Sequence, residues 1–423
     1  MRSLLLSSLS LVWVLFSISG CAPDPEPEAA AFRPEEAERL AREVNVENWD
    51  DGGEISRFAF LSVPEIFETA VVPRGDGEVL PLETALEGAI ARYEVALEEG
   101  GVMPFDDYVS AGALDGIAIL RGGKIVYESY PRMRRGDRHI LFSVSKVLVS
   151  TVVAILEDRG LVDVSKPLET YVPALRQTAW EGIPVLDVLD MASGIDALEG
   201  IEDSYTNPER KHYQFEASLG WLPKTEGLPP SVLEEDTYGF LATLEKKSGP
   251  GEVWEYVSAN TMALAWLTEE VSGKKFPELL SETVWSKMGA EADGLLSVNS
   301  RGQAVVHGGV VATLRDVARF GLLFTRGRDR GVVSESCLRK ILEGGRPELL
   351  TAAGRGSEDV RHATYQWDRV YRDGSLFKGG FGGQGLYVSP EKDVVIAYFG
   401  THGYDAPTPP VLEVCRRMVR DLF

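Results

Sequence analysis

The sequence predicts an α+β chain of the α/β-sandwich kind: an antiparallel sheet built from both chain ends, helices on its faces, and an inserted, mainly helical domain. Three observations predict it. Strand patterns occur near residues 116–128 and return at 385–399; helical patterns broken by Gly and Pro loops fill residues 162–309; and a strongly apolar helix stands between the first strands and that middle. Strands at both ends with helices between are most economically joined in one sheet carrying an insertion. No internal repeat of fixed period is present.

In chain order, Met1-Arg2 is a positive start and residues 4–16 form an apolar run, followed by Ile18-Ser19-Gly20-Cys21. The run is short for a membrane-spanning helix, so a cleaved export signal is expected over residues 1–20. Its ending resembles a bacterial lipoprotein signal, which implies that Cys21 is the lipidated first residue of an exported protein anchored to the cell envelope. Ile18 departs from the usual Leu. Ala22 follows, where Asp would be the retention signal of the inner membrane, so the outer membrane, on its periplasmic side, is expected. Residues 21–31 are rich in Pro and acid and read as a tether. The sheet domain is expected over 32–161 and 310–423, and the helical domain over 162–309.

The chain carries 44% apolar and 26% charged residues, a globular balance. The formal net charge of -22 argues against nucleic acid as a partner, because phosphate binding needs Lys and Arg to displace counterions. Cys337 and Cys415 are too few for a disulfide framework, and their pairing is left open. Residues 32–44 have helical spacing. Residues 81–99 place Leu82, Leu86, Ile90, Tyr93 and Leu97 on one helical face, which predicts a second helix. Arg121-Gly122-Gly123 between two apolar runs predicts a hairpin. Residues 143–159 form the apolar helix, with Val144, Val147, Leu148, Val152, Ile155 and Leu156; it should be buried. Residues 385–388 and 393–399 read as strands around a Ser-Pro-Glu-Lys turn, and residues 410–422 as a closing helix.

Four Ser-x-x-Lys tetrads begin at Ser143, Ser272, Ser375 and Ser389. Only Ser143-Val-Ser-Lys146 opens a buried helix. Residues i and i+3 share a helix face, so Lys146 reaches the Ser143 hydroxyl, and desolvation would lower its pKa enough to make it a base. The tetrad alone leaves another reading open, with Ser143 a helix N-cap and Lys146 a solvated side chain. Tyr256 sits on a loop before the apolar helix 261–271, where its hydroxyl could relay protons. Gly380, Gly382 and Gly385 match a dinucleotide fingerprint, but strand pattern follows where that motif needs a helix. Glycines at a strand edge instead suit a substrate-lining strand or an oxyanion site, or a structural bulge. The five histidines have no metal-ligand spacing, no nucleophile elbow is present, and no metal or organic cofactor is implied.

These elements, in this order, resemble the serine β-lactamase and penicillin-recognising superfamily, in its class C-like branch with esterases and 6-aminohexanoate-dimer hydrolases. The resemblance runs from about Asn45 to the C-terminus. It rests on residues 141–146, 186–194, 250–261, 308–320 and 382–384. It implies that Ser143 forms an acyl-enzyme, that Lys146 and Tyr256 carry the proton transfers, and that the amides of Ser143 and a strand residue, Phe381, make the oxyanion hole. Ser258, Asn260, Tyr205, Lys378, Gly380, Gly382, Gly383 and Gln384 are implied to contact substrate. The departures are Ser258 where Tyr-x-Asn is usual and Lys378-Gly379-Gly380 in place of Lys-Thr-Gly. They point to a small-molecule carboxylic ester or linear amide as substrate. A β-lactamase or D-amino-acid cell-wall peptidase is the alternative, separable by stable penicillin acylation. A catalytically silent envelope binding protein is the alternative of another class, although such a role would not require Ser143, Lys146 and Tyr256 together.

Overall fold

The computed structural model describes residues 31–97, 100–112, 114–403 and 410–423; the expected signal, Cys21 and nearly all of the tether lie outside the described residues. The strands are β1 (Thr69–Val72), β2 (Glu94–Ala96), β3 (Val102–Pro104), β4 (Leu114–Arg121), β5 (Lys124–Ser129), β6 (Arg138–Ile140) and β7 (Gly294–Ser297). They continue with β8 (Val310–Thr313), β9 (Val360–Thr364), β10 (Trp367–Tyr371), β11 (Leu376–Gly380), β12 (Gln384–Ser389) and β13 (Val394–Gly400). Seven of them form the main antiparallel sheet, in the order β5-β4-β13-β12-β11-β10-β9. Strands from the two halves of the chain therefore meet inside it, where β13 lies beside β4 and pairs Val394 with Arg121 and Tyr398 with Ile117.

Strand β13 shows how the layers form. Successive side chains of a strand point to opposite faces. Val395, Ala397 and Phe399 join the core that holds Leu314 and Val317. Val394, Ile396 and Tyr398 face Val411, Cys415, Met418 and Val419. Helices Leu314–Leu322 and Val411–Leu422 therefore cover the two faces. Gly321 lets the first come close: a Cβ there would lie 2.5 Å from Val395 Cγ1. The predicted hairpin forms at Gly122 and Gly123, whose φ values of 59° and 73° are those of the mirror-image turn that suits twisted strands.

Of the helix predicted over 81–99, the described residues 81–97 form only a short helical turn. Residues 83–87 run beside β5 instead: the Ile125 amide donates to the Glu83 carbonyl (2.8 Å) and the Glu87 amide to the Val126 carbonyl (2.9 Å). Leu86, expected on the apolar face, is exposed. An open sheet edge satisfied this backbone and overrode the local spacing, leaving one short turn at Gly88–Ala91. A second sheet, β1-β7-β8-β6, is also absent from the expectation; its strands are three or four residues long. The 162–309 segment contributes β7 to it.

The helix expected at 143–159 begins as a 3-10 turn, Phe142–Val144, before the α-helix Ser145–Asp158. Every residue from Ser145 to Leu156 is buried, so this helix is the pillar between sheet and insert. Cys337 and Cys415 are unpaired and buried in separate clusters. Among the described residues, no helix is long and apolar enough to cross a membrane.

Candidate active site

The site starts from a strained residue. Phe142 has φ of 42°, a region that costs energy for a residue with a bulky side chain. Its ring is held by four aromatic neighbours: Trp49 stacks at 5.6 Å, Phe60 meets it at 4.8 Å, Trp221 at 6.2 Å and Phe381 at 5.3 Å. That packing turns the chain sharply and presents Ser143 on the wall of a cleft of about 480 Å³. Trp49, Trp221, Leu222 and Trp254 give the cleft an apolar wall.

Lys146, one turn on, is fully buried. Its Nζ donates to Ser143 Oγ at 2.8 Å and to the His307 carbonyl at 3.0 Å. Burial lowers its pKa to about 8; Glu199 opposes that shift, Lys378 adds to it, and Glu216 and Asp368 oppose it. The lysine is thus held against the serine with a proton affinity suited to a base.

Tyr256 closes the other side. Its loop is pinned by the Glu255 amide on the Met191 carbonyl (2.7 Å) and the Glu199 amide on the Tyr256 carbonyl (3.3 Å). Its hydroxyl accepts from Lys378 Nζ at 2.9 Å. Burial pushes the phenol well above its usual range, Asp368 and Glu199 push it further, and a hydrogen bond with Ser143 opposes them. Lys378 is itself buried and pairs with Asp368 Oδ1 at 2.5 Å.

Behind Lys146 lies a group that sequence reasoning missed. Glu216 and His307 are buried, with His307 Nε2 3.0 Å from Glu216 Oε1. Burial lifts the Glu216 carboxyl to about 7, and burial followed by Lys146 lowers His307 to about 3, so the imidazole is neutral. Burial alone would raise Glu199, but Lys146 and then His212 pull it below the usual range. Nothing in the sequence flagged these residues, except that Glu216 interrupts the apolar pair Phe215 and Ala217 in a helix, Lys211–Ser218, that is buried almost throughout. Asp368, on β10, was missed for the same reason.

The residues expected to touch substrate divide into two sets. Ser258, Tyr205, Gly380 and Phe381 line the cleft, and Tyr205 donates to Glu199 Oε2 at 3.4 Å. Phe381 opens a turn after β11 rather than lying in a strand. A Cβ on Gly380 would meet the Leu141 carbonyl at 2.6 Å, so its absence lets this turn press against the Ser143 turn. The other set faces elsewhere. The Gln384 side chain is spent on the fold: Nε2 donates to the carbonyls of Gly400 (2.7 Å) and Phe381 (3.1 Å), and Oε1 accepts from the Gly400 amide. Asn260 is buried, with Nδ2 3.6 Å from Met191 Sδ. Gly382 and Gly383 are needed for positive φ and for room beside Phe60 and His402. Lys378 meets Tyr256 and Asp368 instead of open space. Of the rival tetrads, Ser375 is buried and donates to Asp373 Oδ1 at 2.6 Å. Among the described residues, no cluster of His, Cys, Asp and Glu could hold a metal ion.

The Beta-lactamase family profile matches residues 105–413. The 6-aminohexanoate-dimer hydrolase of Paenarthrobacter ureafaciens is 34% identical over 369 residues, covering 84% of this chain and 88% of that one. A candidate 6-aminohexanoate-dimer hydrolase from Bacillus anthracis superposes with a TM-score of 0.78 at 22% identity, over 90% of this chain and 96% of the other. A hydrolase with promiscuous acyltransferase activity, EstCE1, superposes with a TM-score of 0.58 at 14% identity, over 74% and 96% of the two chains.

Proposed function

The chain belongs to the Beta-lactamase family and is a serine hydrolase of that fold; on that premise we propose that it hydrolyses a carboxylic ester or linear amide through an acyl-enzyme on Ser143. The observation that carries this reading is the buried Lys146 Nζ 2.8 Å from Ser143 Oγ, with Tyr256 lining the same cleft as that serine. Neutral Lys146 takes the Ser143 proton as Oγ attacks the carbonyl carbon. The carbonyl π pair moves to oxygen, and the amides of Ser143 and Phe381 stabilise that oxyanion. Tyr256 enters as a neutral phenol, passes its proton to the departing alkoxide or amine, and recovers one from Lys146. Water then repeats the sequence on the acyl-enzyme, and the acid leaves. The relative at 34% identity is named for hydrolysis of an aminohexanoate dimer, which supports a linear amide as well as an ester.

Turnover of a p-nitrophenyl ester and of a linear amide tests the reading. Wild-type protein should hydrolyse at least one, and Ser143→Ala should hydrolyse neither above the solvent rate. Activity that survives Ser143→Ala would overturn it.

For location, we propose export and anchoring through a lipid on Cys21, at the periplasmic side of the outer membrane. The apolar run ending in Ile18-Ser19-Gly20-Cys21 supports it. Cys21→Ala should move the protein from the membrane to the soluble fraction; unchanged membrane association would contradict the anchor.

A further inference from the structure

Asp368 occupies an unusual position for a charged side chain. The β10–β11 ladder pairs Arg369 with Phe377 and Val370 with Leu376, and goes no further toward the cleft. The cleft end of β11 therefore presents an ammonium, Lys378, and a main-chain donor, the Gly379 amide. Both are taken by one carboxylate: Asp368 Oδ1 lies 2.5 Å from Lys378 Nζ, and Oδ2 accepts from the Gly379 amide at 3.0 Å. Lys378 has no solvent exposure, whereas the Asp368 side chain is 24% exposed and lines the cleft with Gly379.

An ammonium and an amide converging on two oxygens are the donor set that recognises a carboxylate, because charge-assisted hydrogen bonds are the strong ones. Here the protein fills that set from within. We infer that Asp368 is a resident carboxylate occupying an anion subsite beside Ser143, and that it makes the enzyme select acyl donors lacking a carboxylate near the scissile bond. The inference rests on the hydrolase reading of Ser143 for its substrate consequence and names the substrate class: uncharged or cationic esters and amides. An incoming carboxylate would find its donors taken and would meet Asp368, and beyond it Asp50, Glu199 and Glu216 on the same cleft. The opposing cation on the lining is Arg355, whose guanidinium sits over the Trp254 ring at 5.1 Å. Removing the resident carboxylate frees both donors. The gain for an anionic substrate is about tenfold to a hundredfold, the range of one hydrogen bond to a charged group.

The test uses a matched pair of p-nitrophenyl esters, one neutral and one carrying a carboxylate on the acyl group, with formate as a small probe. Wild-type protein should favour the neutral ester, and in Asp368→Ala the ratio of kcat/KM values should shift toward the anionic ester by about tenfold or more. Formate should saturably return the Asp368→Ala ratio toward the wild-type value, a rescue that a merely structural aspartate would not allow. Asp368→Asn keeps the shape and removes the charge; it should shift the ratio in the same direction if Asp368→Ala does not fold. A ratio that stays at the wild-type value in the folded variant, with no response to formate, overturns the inference. Calorimetry of formate on Ser143→Ala/Asp368→Ala reads the subsite without turnover. Saturable binding that Ser143→Ala alone lacks supports the subsite, and no binding overturns it. Failure of wild-type protein to hydrolyse either ester or to react with a fluorophosphonate would overturn the hydrolase reading separately.

Discussion

In the proposed mechanism Lys146 sets the pH at which the site works. Burial gives it a pKa near 8, and only its neutral form accepts the Ser143 proton, so kcat/KM should rise with pH on a limb centred near 8. Glu199 is the strongest influence holding that value up, so Glu199→Gln should move the limb to lower pH; a limb unmoved by the change would show that another group titrates there. Lys146→Met removes the base and should lower kcat/KM about 10²- to 10⁴-fold while the fold persists, as circular dichroism would check. At this scale the sequence was informative where spacing along one helix makes the contact, as for Ser143 and Lys146. It was silent on Glu216, His307 and Asp368, which reach the cleft from a mid-insert helix, a loop and a strand far apart in the chain. It did not reveal that the Gln384 side chain, at the start of β12, bonds to Phe381 and Gly400, because composition cannot tell which way an amide points.

Elements hold these residues in place, and two joints can be broken singly. Gln384 clamps the turn at Phe381 onto the end of β13 through its bonds to the Phe381 and Gly400 carbonyls and the Gly400 amide. Gln384→Ala should therefore lower kcat by about tenfold or more with KM little changed, as a displaced oxyanion donor would. Equal losses in binding of a ground-state analogue would argue instead for substrate contact. Gly321 is a packing joint. Gly321→Val would put a Cβ 2.5 Å from Val395 Cγ1 and 3.0 Å from Leu386 Cδ1 and should cost about 1–3 kcal/mol or more in denaturant unfolding, with no separate effect on chemistry. The hairpin, the pillar helix and the closing helix were legible because their patterns agree with their tertiary surroundings. Residues 81–99 were misread because the apolar spacing Leu82, Leu86, Ile90 fits a helix face, while the open edge of β5 offered that backbone hydrogen bonds. The second sheet was missed because strands of three or four residues carry too little periodicity to read.

Over the whole molecule, the site draws Ser143 and Lys146 from the start of the pillar helix, Tyr256, Glu216 and His307 from residues 162–309, Lys378 and Asp368 from β11 and β10, and Phe381 from the turn after β11. It exists only when β13 pairs with β4 and brings the two ends together. The Val411–Leu422 helix seals that junction over Ile117, Ile119, Ile396 and Tyr398. Truncation before Val411 should therefore abolish cooperative unfolding and activity together; an active, cooperatively folding truncation would show that the junction holds without its cover. The central claim is that Ser143 is the one nucleophile of this assembled cleft. Intact mass followed by peptide mapping after a fluorophosphonate tests it most directly. The account predicts one adduct per chain, on Ser143, absent from Ser143→Ala and slowed in Lys146→Met. An adduct on another residue, or one that persists in Ser143→Ala, would contradict it.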